Sequence, residues 1–268
     1  MTDSQYGLHD PRGAGFRDVE VWAIPLRQPP DVVAALLGDL DAEERPRAGR
    51  DPRYGVAHGA ARRILAAQAG CAAHELRRTA GPHGKPRLVG PGADLAWNLS
   101  ASGDWALLAV IPPAPVPDQG VAAPRGSSGG PPVGVGVDVQ QLVPDGAALR
   151  LAARYFGEAE ARQVASPPED PYSVGPPGEV CTSPGELYTR LWTYKEAYVK
   201  AFGGRLTQGL AVSAPTGPGG TMDGPLGRCR VTAVPGPAPD CPAAVAVTGE
   251  LPPRPVLRTW KYAPARWS

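Results

Sequence analysis

The sequence predicts an α+β protein made of two mixed subdomains. Three observations carry that expectation. The chain has 268 residues, 42% of them hydrophobic, which is enough for one large core or two small ones. A proline- and glycine-rich run with linker composition, residues 112–132, divides it into halves of similar size. Each half mixes helical periodicity with the alternation of strands. The expected organisation is a flexible tail at 1–17, an N-terminal subdomain at 18–111, the linker at 112–132 and a C-terminal subdomain at 133–268. A functional site is expected between the halves.

Taken in order, Val19–Ile24 alternates as a strand. Asp31–Leu40 has helical spacing, with Asp31 available as its N-cap. Tyr54–Arg78 reads as one long helix, apolar at Val56, Ala60, Ile64, Leu65 and Ala69, with Gly70 as a place to interrupt it. Asp94–Leu99 and Trp105–Ile111 read as strands around a Ser-Ala-Ser-Gly turn. In the second half Val133–Val139 alternates as a strand and Ala147–Phe156 as a helix, and residues 166–185 form a proline-rich loop. Pro184–Phe202 is the strongest helix: proline suits the first turn, and Gly203-Gly204 stops it. Strands are expected at 206–212, 228–234, 243–248 and 255–261.

The composition narrows the class. Glycine and proline number 34 each, a load that signals low complexity when the apolar content is low; here it reads as a GC-rich coding bias. The net charge of +1 argues against binding nucleic acid by bulk charge. The polar start is no secretory signal, and the longest apolar strand is far short of a membrane span. The cysteines at 71, 181, 229 and 241 lack CxxC spacing, so free thiols in a soluble cytoplasmic protein are expected rather than zinc. Within the balanced charge, arginines number 23 and lysines only four: Lys85, Lys195, Lys200 and Lys261. Where drift favours arginine, a surviving lysine marks a position that arginine serves poorly, because an ammonium is compact and a guanidinium is not.

Four stretches can carry chemistry. On the helix, Trp192, Glu196 and Lys200 share one face, so a carboxylate and an ammonium stand one turn apart. They could hold a metal beside a phosphate, or form an ordinary surface ion pair. In Gly134-Val-Gly-Val-Asp-Val139, Asp138 is either a metal ligand or a strand-end group, since a buried carboxylate needs a partner. Gly-x-Gly alone is weak evidence for a dinucleotide site, and the rest of that pattern is absent. Gly84-Lys-Pro86 fails as a Walker A motif, having Thr79 and Pro86 where glycine and serine or threonine belong. Trp97-Asn-Leu-Ser-Ala-Ser-Gly-Asp104 could offer backbone N–H groups to a phosphate or be a plain hairpin. Three of the four lysines and the single asparagine, Asn98, fall in these stretches.

Together and in this order, Gly-Lys-Pro, Asn-Leu-Ser-x-Ser-Gly, Gly-Val-Asp-Val and Trp-x-x-Lys-Glu-Ala-x-x-Lys resemble the Sfp-type 4′-phosphopantetheinyl transferases, in the branch with a Trp and a Lys-Glu-Ala motif. The resemblance spans roughly residues 20 to 260. It implies a pseudo-dimer of two similar α+β subdomains. It implies a monomeric enzyme that moves phosphopantetheine from coenzyme A to a serine of an apo acyl or peptidyl carrier protein. Such carriers belong to fatty acid, polyketide or nonribosomal peptide synthases. No nucleic acid or membrane is implied. By motif position, Asp138, Gln140 and Glu196 would hold Mg²⁺, and Glu196 would also act as base. Lys200 would stabilise the pyrophosphate. Lys85 and Pro86 would line the adenosine end of coenzyme A, with Ser100 and Ala101 near its phosphates and Arg50 and His58 as further basic contacts.

Two positions depart from the family pattern. Ala101 stands where a histidine is usual, which removes a phosphate contact. Gln140 stands where a glutamate is usual, and a neutral amide oxygen is a poorer ligand for a hard divalent cation. These departures motivate two alternatives to an active transferase. One is a degenerate homologue that binds coenzyme A or a carrier without catalysis. The other is an unrelated α+β scaffold, which leaves the four ordered motifs unexplained.

Overall fold

The computed structural model describes residues 17–81, 84–112, 133–167, 181, 183–249 and 251–262. Nearly all of the expected tail and of the 112–132 linker, and the middle of the 166–185 loop, lie outside the described residues. The architecture is α+β. Its N-terminal half runs β1 (Arg17–Pro25), α1 (Pro30–Gly38), α2 (Arg45–Ala48), α3 (Pro52–Ala69), β2 (Arg77–Ala80), β3 (Pro86–Val89), β4 (Ala96–Ser102) and β5 (Trp105–Ile111). The C-terminal half runs β6 (Val135–Val139), α4 (Asp145–Tyr155), α5 (Glu158–Ala165), α6 (Pro184–Phe202), α7 (Leu206–Leu210), β7 (Gly219–Gly224), β8 (Gly227–Val234), β9 (Ala243–Thr248) and β10 (Pro253–Thr259). Among the described residues no helix is long and apolar enough to cross a membrane.

Two four-stranded sheets, ordered β10-β1-β5-β4 and β6-β9-β8-β7, pack face to face. Strand alternation explains the packing. Val19, Val21, Leu107 and Ala109 meet Val135, Val137, Val139, Val245 and Val247 in a shared apolar layer. The opposite face of the first sheet, with Ile24, Leu108 and Val110, buries Val56, Ala60 and Ile64 of α3. The opposite face of the second, with Val231, Ala244 and Ala246, buries Leu191, Ala197 and Tyr198 of α6. Each buried valine, leucine or isoleucine among them contributes about 1.5–3 kcal/mol by leaving water.

α6 spans the residues the sequence predicts. Ser183 caps it through Glu186 N, proline opens it, and Gly203 closes it in the left-handed region at φ 72°. Other expectations need correction. The predicted helix over Tyr54–Arg78 ends at Gly70, whose φ of 67° makes the same left-handed stop; Arg77 then begins β2, which pairs with β3. The N-cap position of the helix at Asp31 belongs to Pro29. The Ser-Ala-Ser stretch lies in β4, and the turn sits at Gly103-Asp104. Residues 206–210 form α7 rather than a strand, because Gln208 caps Arg205 N and Gly209 lies hard against α6. The last strand pairs in parallel with β1, so the 133–268 unit sends its end back into the first sheet.

Candidate functional site

The site forms where β4, β6 and α6 meet. β4 and β6 are the edges of their sheets that face each other. β6 points its valines into the layer between the sheets and turns Gly136 and Asp138 toward α6. A Cβ on Gly136 would stand 2.0 Å from Ala197 O and 2.4 Å from Ala201 N. The Gly-x-Gly pattern therefore serves close helix–strand approach rather than a dinucleotide. Asn98 joins the two edges: its side-chain oxygen accepts the Val137 N–H at 2.9 Å.

Asp138 is almost fully buried. Its Oδ1 accepts from Ser100 Oγ at 2.8 Å and from Lys200 Nζ at 2.5 Å, while Lys200 Nζ also donates to Ser100 Oγ at 3.0 Å. Its Oδ2 is buried without a hydrogen-bond partner among the described residues. Glu196 Oε2 lies 3.8 Å from Lys200 Nζ, one turn back on α6. Burial pushes the Asp138 carboxyl above the usual carboxylate range, against the pull of Lys200 and Ser100. Burial raises Glu196 as well; Lys200 opposes the shift and the Asp138 charge adds to it. Two partly desolvated carboxylates and an orphaned carboxylate oxygen favour the arrival of a cation. Their oxygens suit a hard divalent ion, and this donor set fits magnesium. Gln140 sits two residues beyond Asp138, half-buried, with its backbone N bonded to Pro242 O at 3.1 Å. Among the described residues no three His, Cys, Asp or Glu side chains gather as a metal cluster; Asp138 and Glu196 both flank the Lys200 ammonium.

Beside this constellation opens a cleft of about 430 Å³. Pro86, Ser100, Ala101 and His58 line it, and the structure thus brings four of the predicted coenzyme A residues together. Arg50 is not among the lining residues; it is exposed on the turn after α2, with Nε on Pro46 O. Arg47 and Arg53 stand there instead. Arg47 lies 4.3 Å over the Tyr54 ring, Tyr54 stacks on His58 at 3.9 Å, and Arg53 pairs with Asp104 at 2.8 Å. A signal for this was present. Asp51-Pro52 is a helix start, which puts Arg53 and Tyr54 in the first turn and His58 one turn later on the same face. His58 Nδ1 is held by buried Glu44 at 2.9 Å.

The other lysines have different settings from the expected one. Lys85 Nζ donates to Val135 O, Lys200 O and Ala201 O at 2.9, 2.6 and 2.8 Å. It does not line the cleft that its neighbour Pro86 lines. Lys195 points away from the constellation and is fully buried, paired with Glu160 at 2.9 Å and bonded to Leu210 O and Val212 O.

Comparison with known proteins points one way. The family model of the 4′-phosphopantetheinyl transferase superfamily matches residues 134–216, which include β6 and α6. A Synechocystis sp. (strain ATCC 27184 / PCC 6803 / Kazusa) protein named "Putative 4'-phosphopantetheinyl transferase slr0495" is 30% identical over 198 residues, covering 71% of this chain and 67% of that protein. The "4'-phosphopantetheinyl transferase HetI" of Nostoc sp. (strain PCC 7120 / SAG 25.82 / UTEX 2576) is 28% identical over 243 residues, covering 87% of this chain and 88% of that protein.

Proposed function

The chain belongs to the 4′-phosphopantetheinyl transferase superfamily, and from that premise we propose that it moves phosphopantetheine from coenzyme A to a serine of an apo acyl or peptidyl carrier protein. The observation that carries this reading is the Asp138–Lys200–Glu196 group, with Asp138 buried and the other two half-buried, beside a basic cleft large enough for a nucleotide. In the proposed reaction the carrier serine oxygen forms a bond to the β-phosphorus of coenzyme A. The bond from that phosphorus to the bridging oxygen breaks, and adenosine 3′,5′-bisphosphate leaves.

Each residue then has a physical task. Pro86, Ala101 and the stacked Tyr54–His58 pair offer walls to the nucleotide, while Arg47 and Arg53 supply charge toward its phosphates. Glu196, raised by burial, is suited to take the serine proton. Lys200 donates to the phosphate oxygens, and its ammonium stabilises the charge that develops on the leaving group. Asp138 and Glu196, with the Gln140 amide oxygen, would hold Mg²⁺, which supplies charge neutralisation to the pyrophosphate. The two sheets, each covered by one long helix, support a reading as halves of a pseudo-dimer. The reading also takes the chain as a cytoplasmic monomer.

The test is direct. The protein is incubated with coenzyme A, Mg²⁺ and several apo carrier proteins, and each carrier is weighed. The expected result is a gain of one phosphopantetheine, lost in Glu196→Ala. Coenzyme A binding without any mass gain identifies instead a degenerate homologue, the reading that Ala101 and Gln140 would favour.

A further inference from the structure

Lys85 sits in the connection between β2 and β3 of the N-terminal half, yet its three acceptors all belong to the C-terminal half. Two of them, Lys200 O and Ala201 O, are among the last carbonyls of α6, beyond its regular i→i+4 bonds; Lys200 O also accepts from the capping Gly203 N–H at 3.3 Å. The third, Val135 O, lies on β6, the strand that carries Asp138. One ammonium therefore ties the last turn of α6 to β6, at the negative end of the helix dipole. Lysine fits this role where arginine does not: three carbonyls converge on a single nitrogen, and a guanidinium spreads its donors over a planar fork. Burial, with a smaller contribution from Arg87, pushes this ammonium down to about 8, so the position is costly for a charge and the three carbonyls offset that cost.

The residue whose carbonyl Lys85 holds is the residue whose ammonium enters the site. Lys200 O is 2.6 Å from Lys85 Nζ, and Lys200 Nζ is 2.5 Å from Asp138 Oδ1. The next residue after Lys85, Pro86, is a wall of the cleft. We propose that Lys85 is a positioning residue, a clasp between the halves that sets the last turn of α6 against β6 and thereby places Lys200 opposite the phosphates. It does this without contacting the nucleotide. The proposal rests on the transferase reading for its kinetic consequence, but the clasp itself is a statement about the helix end.

The experiment compares the full chain with Lys85→Met and Lys85→Arg by two readouts. Steady-state transfer onto an apo carrier gives kcat and the KM for coenzyme A. Hydrogen–deuterium exchange of a peptide over residues 197–204 reports the last turn, where Gly203 N bonds Lys200 O and Gly204 N bonds Val199 O. A misplaced catalytic group costs rate more than binding, so both variants should lose about tenfold or more in kcat with KM changed by no more than about threefold. Exchange in the last turn should quicken by about tenfold or more in Lys85→Met. A KM raised about tenfold at unchanged kcat would mark a nucleotide-contacting residue and overturn the proposal. Unchanged exchange would overturn it whatever the kinetics. If the wild-type chain transfers nothing, the transferase reading fails and exchange alone decides on the clasp. Lys85→Gln, which keeps two N–H donors, carries the same comparison should Lys85→Met not fold.

Discussion

Lys195 and Glu160 form an ion pair with almost no exposure to water, and three further bonds complete it: Leu210 O and Val212 O accept from the ammonium, and Glu160 Oε1 accepts from Ala214 N at 2.8 Å. Removing one member leaves the other charged and buried. Lys195→Met is therefore expected to lose about 3–5 kcal/mol in urea unfolding, and a Lys195→Met/Glu160→Leu double variant to recover much of it. The scarcity of lysine was informative, but it mixed two causes. Lys200 faces the buried Asp138, while Lys85 and Lys195 hold backbone carbonyls that a guanidinium would not fit. No count or spacing separates these cases, because the acceptors lie far away in the chain. Gln140 carries a second prediction at this scale. A glutamate there would add a third carboxylate beside Asp138 and Glu196, so Gln140→Glu should tighten Mg²⁺ binding about tenfold by calorimetric titration. Unchanged affinity would remove Gln140 from the site.

At the scale of elements, α6 was legible in full, since its proline, its cap and its double glycine agree with its periodicity. α3 was legible in its body but not at its end, where Gly70 stops it and a short hairpin follows. The hairpin strands, Arg77–Ala80 and Pro86–Val89, are four residues each and mostly exposed, so they carry no alternation to find. α7 escaped for a different reason: its five residues are too few to show a period, and contact with α6 sets their conformation. Glycine substitutions test the helix–strand contact. Gly136→Ala forces β6 and α6 apart and is expected to cost about 3 kcal/mol or more, or to prevent folding. Gly146→Ala on α4 meets only the tip of Arg150 at 3.7 Å and should stabilise by about 0.5–1 kcal/mol. Thermal melts of the two variants read the contrast.

Across the whole molecule, two edges and one return strand join the halves. Asn98 satisfies the Val137 N–H that no strand pairs, Ser100 reaches Asp138, and β10 completes the first sheet from the far end of the chain. Asn98→Ala leaves that buried N–H unpaired, and a loss of about 1–3 kcal/mol in denaturant unfolding is expected. A change below the error of that measurement would show that water or a local shift satisfies the strand edge. The sequence by itself determined the α+β class, the two ends of α6, and the order of four motifs that mark a 4′-phosphopantetheinyl transferase. These depend on neighbours within one element, or on residue types that recur in a family. Only the tertiary structure decided that Arg47 and Arg53 rather than Arg50 line the cleft, that Lys195 is a core ion pair, and that Lys85 grips the end of α6. Those facts are distances between residues tens of positions apart, set by how two sheets and two helices pack, and no local pattern in the chain encodes them.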